Sequence, residues 1–197
     1  MRNGGMSELS LFTGAGGGVL GTKLLGFQTV CAVENNRFCQ EILLRRQMDG
    51  CLPWFPIWDD IRTFRGEEWC GVGLLTGGFP CQPFSSASRG RRTAEDLWPE
   101  MLRVVRSAGP KLVFAENVSR QAIDRAATDL ETMGYTTACV EASAKDMGAD
   151  HTRKRFWLLA HTHDESQLLR RLYAEVARGP LLQNRIWEAY PPRTRSG

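Results

Sequence analysis

Short apolar runs that alternate with helical patterns constrain the fold of this chain more than any other feature. Runs typical of buried strands occupy six segments: Leu9 to Phe12, Thr29 to Val33, Gly73 to Thr76, Leu112 to Ala115, Thr136 to Val140 and Phe156 to Ala160. Apolar residues at helical spacing fall between and after them, around Ile42, Met101, Ile123 and Leu172, and Ser119 is expected to cap the helix around Ile123. Strands that alternate with helices are joined by crossovers, so the pattern predicts an α/β fold with a Rossmann-like, mostly parallel sheet flanked by helices.

The length of 197 residues suits one domain with a sizeable core, or one domain with a short appendage. The predicted strands place the folded domain at residues 8–162. Residues 1–7 are then an N-terminal extension, and residues 163–197 hold one helix and a loose tail.

Composition excludes several classes of protein. Hydrophobic residues make up 42% and charged residues 24% of the chain, which excludes a disordered chain, a collagen and a coiled-coil rod. The sequence shows neither an apolar run of about 18 residues nor the pattern of a signal peptide, so a cytoplasmic location without a membrane partner is expected. The net charge of +3 neither requires nor excludes nucleic acid.

The six cysteines indicate reduced thiols rather than a metal centre or a disulfide framework. They contain no C-x-x-C pair, and the three histidines lie far from most of them. We therefore expect no metal, and we expect most of the cysteines to be inert core residues.

Glycines and acids cluster where predicted strands end, which is where α/β sheets bind their ligands. Gly14, Gly16 and Gly17 follow the first strand, and glycines there allow a helix N-terminus to approach a ligand closely. Glu34 ends the second strand, 20 residues after Gly14, where a carboxylate can accept hydrogen bonds from ribose hydroxyls. The pattern indicates an adenosine-containing ligand, without separating a nicotinamide from S-adenosylmethionine. A simple tight turn is the alternative.

One cysteine has the sequence context of a nucleophile. Cys81 lies between Pro80 and Pro83 in a loop that follows a strand, which suits attack better than packing. Glu116 and Asn117 close another strand, and a buried carboxylate beside a thiol can exchange a proton with a substrate. The alternatives are a turn with a buried cysteine and a carboxylate that stabilises a helix N-terminus.

Taken in order, these segments resemble the motifs of the cytosine-5 DNA methyltransferases. The similar segments are Leu9-Ser10-Leu11-Phe12-Thr13-Gly14-Ala15-Gly16-Gly17, Val33-Glu34-Asn35, Asp60-Ile61, Gly78-Phe79-Pro80-Cys81-Gln82, Glu116-Asn117-Val118 and His151-Thr152-Arg153-Lys154-Arg155. The last departs from the family's Q-x-R-x-R pattern by a histidine in place of glutamine. Order and spacing agree across about residues 8 to 160.

The resemblance implies transfer of a methyl group from S-adenosylmethionine to carbon 5 of cytosine, with S-adenosylhomocysteine as product. It implies that Cys81 forms a covalent adduct with a flipped cytosine and that Glu116 holds ring nitrogen 3 and the amino group. Arg155 then contacts oxygen 2, and Arg153 orients the site or a phosphate. The implied cofactor-binding residues are Phe12, Gly14, Gly16, Gly17, Glu34, Asn35, Asp60, Ile61, Pro80 and Leu97, with Glu34 on the ribose and Asp60 on the adenine amine.

The implied substrate side combines the loop after Cys81 with Asn117. Its residues are Gln82, Ser85, Arg89, Arg91, Arg92 and Asn117. In the family this loop closes on double-stranded DNA, and three arginines within four positions can pair with phosphates. Without the family context, a solvated charge cluster explains the arginines as well. Asn117 is expected to brace the loop near Pro80.

The family usually continues with a target recognition region and two further motifs, whereas only residues 161–197 follow Ala160. The chain therefore resembles a short form that lacks most of that region. Three readings remain: a compact enzyme of reduced specificity, the catalytic part of a split enzyme that needs a second chain or a second copy, and a DNA-binding module without turnover.

The intact set of Cys81, Glu116, Arg153 and Arg155 argues against the module without turnover. An RNA substrate is a further alternative, although relatives that act on transfer RNA tend to have another proline in place of Phe79. A nicotinamide oxidoreductase would leave Pro80, Cys81 and Glu116 idle. Restriction–modification, phage protection and regulation are all compatible with the sequence.

Overall fold

The computed structural model describes residues 6–81, 95–145, 150 and 152–162, and its centre is one seven-stranded sheet. The strands are β1 (Ser7–Leu11), β2 (Gln28–Val33), β3 (Ile57–Trp58), β4 (Leu74–Gly78), β5 (Leu112–Asn117), β6 (Thr136–Ser143) and β7 (Lys154–His161). Their order across the sheet is β3-β2-β1-β4-β5-β7-β6. The first five are parallel neighbours, and β7 runs antiparallel to both β5 and β6. The predicted fold class is confirmed, and the two-residue strand β3 is an addition.

Four helices connect the strands: α1 (Gly17–Leu24), α2 (Arg37–Met48), α3 (Trp98–Ala108) and α4 (Arg120–Thr132). Side chains cap two of them, because Asn36 accepts from the backbone N–H groups of Phe38 and Cys39, and Ser119 accepts from that of Ala122. The cap at Ser119 was expected from the sequence. The predicted helix around Leu172 lies outside the described residues. Within the described part of the chain, no helix is both long and apolar enough to cross a membrane.

Buried side chains pack on both faces of the sheet, as a parallel sheet requires. The larger cluster includes Leu9 and Leu75 from the sheet and Trp98, Met101 and Ile123 from α3 and α4. A second cluster joins α1 and α2 to β2; it consists of Val19, Ala32, Leu43, Leu52 and Phe55.

The cysteines correct one prediction. Only Cys31 is buried, and burial raises the pKa of its thiol to about 12. Cys51, Cys70 and Cys139 are exposed, so the expectation that most cysteines belong to the core is wrong. The reason is that Cys51 and Cys70 lie in a bend and a turn, and Cys139 lies on β6, the strand at the edge of the sheet, where most side chains are exposed.

Because β7 runs antiparallel to β5, the first residues of β7 lie at the edge of the sheet where the parallel strands end. Phe156 is paired with Asn117 and Trp157 with Glu116. The residues that open β7, including Arg155, therefore lie beside the carboxyl end of β5. No pattern in the sequence indicates this direction, although both segments belong to the functional motifs.

Candidate active site

A tight turn links the end of β1 to the start of α1. Gly14 and Gly16 have φ values of 58° and 91°, and Phe12 has a φ of 51° although it is not a glycine. A Cβ atom on Gly16 would lie 2.9 Å from the Leu43 side chain. A Cβ on Gly17 would meet nothing within 4 Å, so the turn faces open space at the N-terminus of α1.

Glu34 secures this turn from the end of β2. Its Oε2 accepts a hydrogen bond from the backbone N–H of Gly14 at 2.6 Å, and its Oε1 accepts one from Asn36 at 2.8 Å. The side chain is buried. Because each carboxylate oxygen can accept a second hydrogen bond, Glu34 keeps acceptor capacity toward a ligand.

An open pocket lies at the carboxyl edge beside Glu34. Its lining combines apolar side chains with carboxylate and amide groups: Phe12, Val33, Glu34, Asn35, Asp59, Ile61, Pro80 and Leu97. Six of these residues were predicted from the sequence. Val33 and Asp59 were not, although Val33 directly precedes Glu34 and Asp59 belongs to the same polar strand end as Asp60.

Asp60 is one of the predicted cofactor-binding residues that lie outside the pocket lining. Its Oδ1 accepts from the backbone N–H of Arg62 at 2.9 Å and lies 3.3 Å from the guanidinium Nη1 of Arg62. Asp59 takes the position on the pocket wall instead. Gly14, Gly16 and Gly17 also lie outside the lining, and Gly14 is connected to the pocket through Glu34.

The pocket suits an adenosine-containing ligand. Phe12, Ile61, Pro80 and Leu97 offer apolar contact for a planar base, and Glu34 offers a buried carboxylate to hydroxyl groups. The open space at Gly17 allows the rest of such a ligand to reach the start of α1. Among the described residues, no group of three or more histidine, cysteine, aspartate or glutamate side chains is placed to hold a metal ion.

Cys81 directly follows Pro80, which lines the pocket, and the Cys81 side chain is half-buried. Its Sγ lies 2.8 Å from Oδ1 of Asn117. The Asn117 amide is fixed at both ends, because Oδ1 also accepts from the backbone N–H of Ser119 and Nδ2 donates to the Phe79 carbonyl at 2.8 Å. Since Oδ1 is an acceptor, the thiol group donates this hydrogen bond, and the resting side chain is a neutral thiol.

Electrostatics agree with a neutral thiol at rest. Burial raises the pKa of Cys81, and the carboxylates of Asp96 and Glu116 add to the rise, which outweighs the lowering effects of the Asn117 contact and of the Arg125 charge. The nucleophilic thiolate therefore has to form when a substrate is present. One of these two carboxyl groups was predicted to act on the substrate.

Glu116 is that carboxyl group. Burial raises its pKa, and the guanidinium groups of Arg155 and Arg153 lower it only in part. Nε of Arg155 lies 2.6 Å from the Oε1 atom of Glu116, but Oε1 has no aligned hydrogen bond among the described residues. A Cβ on Gly78 would lie 3.0 Å from the other oxygen, Oε2, so a side chain at that position would press on the carboxylate.

Three of the four predicted catalytic residues lie close to one another, and the fourth lies further out. Cys81, Glu116 and Arg155 meet at the carboxyl edge, and Arg153 is an exposed residue whose charge acts on Glu116. Asn117 braces the loop through Phe79. The predicted substrate residues Gln82, Ser85, Arg89, Arg91 and Arg92, and also His151 of the last motif, lie outside the described residues.

The family described as C-5 cytosine-specific DNA methylase matches residues 6–186. The Type II methyltransferase M.NgoMIV of Neisseria gonorrhoeae is 38% identical over 115 residues, which cover 57% of this chain and 35% of that protein. M.NgoPII of the same organism is 32% identical over 170 residues, covering 81% of this chain and 49% of that protein. The chain therefore spans half or less of the length of these relatives.

Two solved structures share the fold. The S. pombe Dnmt2 methyltransferase matches with a TM-score of 0.60 at 23% identity, covering 80% of this chain and 49% of that one. A mutant of Spodoptera frugiperda DNMT2 matches with a TM-score of 0.65 at 16% identity, covering 82% and 51%. At these identities the likeness concerns the fold.

Proposed function

The chain belongs to the C-5 cytosine-specific DNA methylase family, and on this premise we propose that it transfers a methyl group from S-adenosylmethionine to carbon 5 of cytosine in DNA. The observation that carries the proposal is the convergence of three features at one sheet edge. The open pocket beside Glu34, the Cys81 thiol and the half-buried Glu116 carboxyl group are all there. Pro80 joins the first two, because it lines the pocket and directly precedes Cys81.

The pocket residues would hold S-adenosylmethionine, which is the methyl donor of this family. When bound, that cofactor supplies an electrophilic methyl group on sulfur. Glu34 would accept hydrogen bonds from the ribose hydroxyls, and Phe12, Ile61 and Leu97 would contact the adenine. Asp59, which lies on the wall, and the neighbouring Asp60 are the two acids available to the adenine amine.

Cys81 and Glu116 would act on a cytosine that has left the base stack. The Cys81 thiol gives its proton to solvent, and the thiolate Sγ bonds to carbon 6 while ring nitrogen 3 takes a proton from Glu116. Carbon 5 thereby becomes nucleophilic and takes the methyl group. A base then removes the carbon 5 proton, the Sγ–C6 bond breaks to release the Cys81 thiolate, and nitrogen 3 returns its proton to Glu116, which restores the aromatic ring. The raised pKa of Glu116 supports its role as proton donor, because a protonated carboxyl group persists to higher pH.

Arg155 and Arg153 would complete the contacts to the nucleotide. Arg155 holds Glu116 from the start of β7, and its remaining donors can reach oxygen 2 of the cytosine. Arg153 is exposed and suits a phosphate. The partner is double-stranded DNA on this proposal, in a cytoplasmic restriction–modification or phage setting. Either this chain acts with reduced specificity, or a second chain or a second copy supplies target recognition.

The decisive experiment is transfer of labelled methyl groups to duplex DNA by the 197-residue chain, followed by mapping of the modified bases. DNA that contains 5-fluorocytosine should trap a covalent adduct, because fluorine cannot leave carbon 5 as a proton does. Adduct formation should disappear in Cys81→Ser. Transfer only after addition of a second protein would support the split enzyme, and transfer to transfer RNA alone would contradict a DNA substrate. DNA binding without any adduct would contradict catalysis.

A further inference from the structure

The turn that follows β3 carries part of the pocket wall, since Asp59 and Ile61 both line the pocket. Local hydrogen bonds shape this turn: the Thr63 N–H donates to the Asp60 carbonyl at 3.1 Å, and the Phe64 N–H donates to the Ile61 carbonyl at 3.3 Å. These bonds set the conformation of the turn. They do not connect it to the rest of the molecule.

Arg103 of α3 connects the turn to this helix, and all three of its guanidinium nitrogens are hydrogen-bonded. Nη2 donates to the Ile61 carbonyl at 2.6 Å and Nη1 donates to the Phe64 carbonyl at 2.9 Å. Nε donates to Oε2 of Glu100 at 2.8 Å, which fixes the plane of the group. A planar fork with several donors is required for this set of acceptors, and lysine cannot reproduce it.

Helix α3 is a firm base for this contact. Met101, Val104 and Val105 are fully buried on either side of Arg103 in the sequence. The residue preceding the helix, Leu97, lines the pocket itself, and its backbone N–H donates to the Pro80 carbonyl at 3.1 Å. Helix α3 therefore positions one pocket wall directly through Leu97 and a second wall, at Ile61, through Arg103.

We propose that Arg103 is a positioning residue for the cofactor pocket, which holds Ile61 at the distance that the adenine side of the ligand requires. Arg103 is not part of the pocket lining, so it acts through the main chain of the turn and does not touch the ligand. The identity of the ligand rests on the proposed function. The mechanical connection between α3 and the turn does not.

The test compares Arg103→Lys with Arg106→Lys, a matched control on the same helix whose arginine is exposed. Binding of S-adenosylhomocysteine and of 5′-methylthioadenosine, which lacks the amino acid portion, is measured by calorimetry. We expect Arg103→Lys to raise the Kd of both ligands by the same factor of about ten, and Arg106→Lys to change neither by more than about twofold. In turnover assays the KM for the methyl donor should rise while kcat changes little.

A merely structural role would lower the Tm of Arg103→Lys without changing either Kd, and this outcome would overturn the proposal. A loss confined to S-adenosylhomocysteine would also overturn it, because the effect would then lie at the amino acid end. Amide hydrogen exchange of the Asp59–Phe64 turn provides a readout without any ligand. Faster exchange there in Arg103→Lys supports the positioning role even if no nucleoside binds, and unchanged exchange contradicts it even if the methyltransferase assay succeeds.

Discussion

The Nε atom of Arg155 lies 2.6 Å from Oε1 of Glu116, and the two side chains are 19% and 26% exposed. This ion pair crosses from β7 to β5 and places a permanent positive charge beside a carboxyl group whose pKa burial has raised. The charge of Arg155 limits that rise without cancelling it. Glu116 is thus kept in place as a group that can give up a proton.

The raised pKa of Glu116 makes a prediction about stability against pH. The native protein keeps a proton on Glu116 at pH values where the unfolded chain, near the usual 4.5, has already lost it. Native molecules then bind more protons than unfolded ones, so the stabilisation by this group is complete below the unfolded pKa and is lost as pH rises through the native pKa. Glutamine at this position does not titrate.

We therefore expect the Tm of Glu116→Gln to gain on that of the wild type as pH rises from about 4 toward neutrality. Loss of the ion pair with Arg155 adds a change in Tm that does not depend on pH in this range. The test is therefore how the Tm difference between the variant and the wild type changes with pH, and not its size at one pH. Thermal unfolding by circular dichroism at several pH values measures it. If the Tm of Glu116→Gln kept a constant distance from that of the wild type, or fell relative to it as pH rises, the pKa of Glu116 would not be raised.

Cys81→Ser should separate chemistry from binding. A serine hydroxyl can donate to Oδ1 of Asn117 as the thiol does, so the loop and the pocket should persist. Methyl transfer should fall by at least about 10⁴-fold, while the Kd for S-adenosylhomocysteine changes by no more than about twofold. Cys139→Ser, on the exposed strand β6, is the matched control and should leave both quantities unchanged. Equal loss of transfer and of binding in Cys81→Ser would indicate misfolding instead.

Asn117→Ala should destabilise the fold through unpaired main-chain groups. The buried Asn117 side chain is the partner of the Phe79 carbonyl and of the Ser119 N–H. Alanine leaves both without that partner, which costs about 1–3 kcal/mol of unfolding free energy. Guanidinium chloride unfolding measures this loss, with Asn35→Ala, an exposed position, as control. An unfolding midpoint equal to that of the wild type would show that water replaces the amide at no cost.

Patterns within single segments predicted much of this molecule. The end of β2 was predicted at Val33, where the apolar run stops at Glu34, and the predicted ends of β1 and β5 at Phe12 and Ala115 lie within two residues of the observed ends. Glu34 follows from this pattern, whereas the other five predicted residues of the pocket lining were implied by the resemblance to the family. Each of these patterns is local to one segment, and the residues meet because parallel strands end at the same edge of the sheet. The helix cap at Ser119 was readable for the same reason.

Contacts between distant segments could not be predicted in this way. The antiparallel direction of β7 decides that Arg155 meets Glu116, and nothing in the segment itself specifies direction. Glu8 gives a second example: it is fully buried and accepts hydrogen bonds from the hydroxyls of Thr22, Thr29 and Thr76. A glutamate next to an apolar run suggests a solvent-exposed strand end, and only the packed sheet supplies three hydroxyl donors around it.

The glycine turn offers a paired prediction with opposite signs. Gly16 has a φ of 91° and a Cβ there would lie 2.9 Å from Leu43, so Gly16→Ala is expected to cost about 1–3 kcal/mol of unfolding free energy. Gly18 lies in α1, and a Cβ there meets nothing within 4 Å, so Gly18→Ala should stabilise by about 0.5 kcal/mol through helix propensity.

Urea unfolding of both variants measures these changes. Displacement of the turn in Gly16→Ala would also move the Gly14 N–H that binds Glu34, so the Kd for S-adenosylhomocysteine should rise in this variant and stay unchanged in Gly18→Ala. Equal stability of the two variants would contradict the positive φ at Gly16. Unchanged affinity in a destabilised Gly16→Ala would separate the turn from the cofactor pocket, because Glu34 would then hold the ligand without support from Gly14.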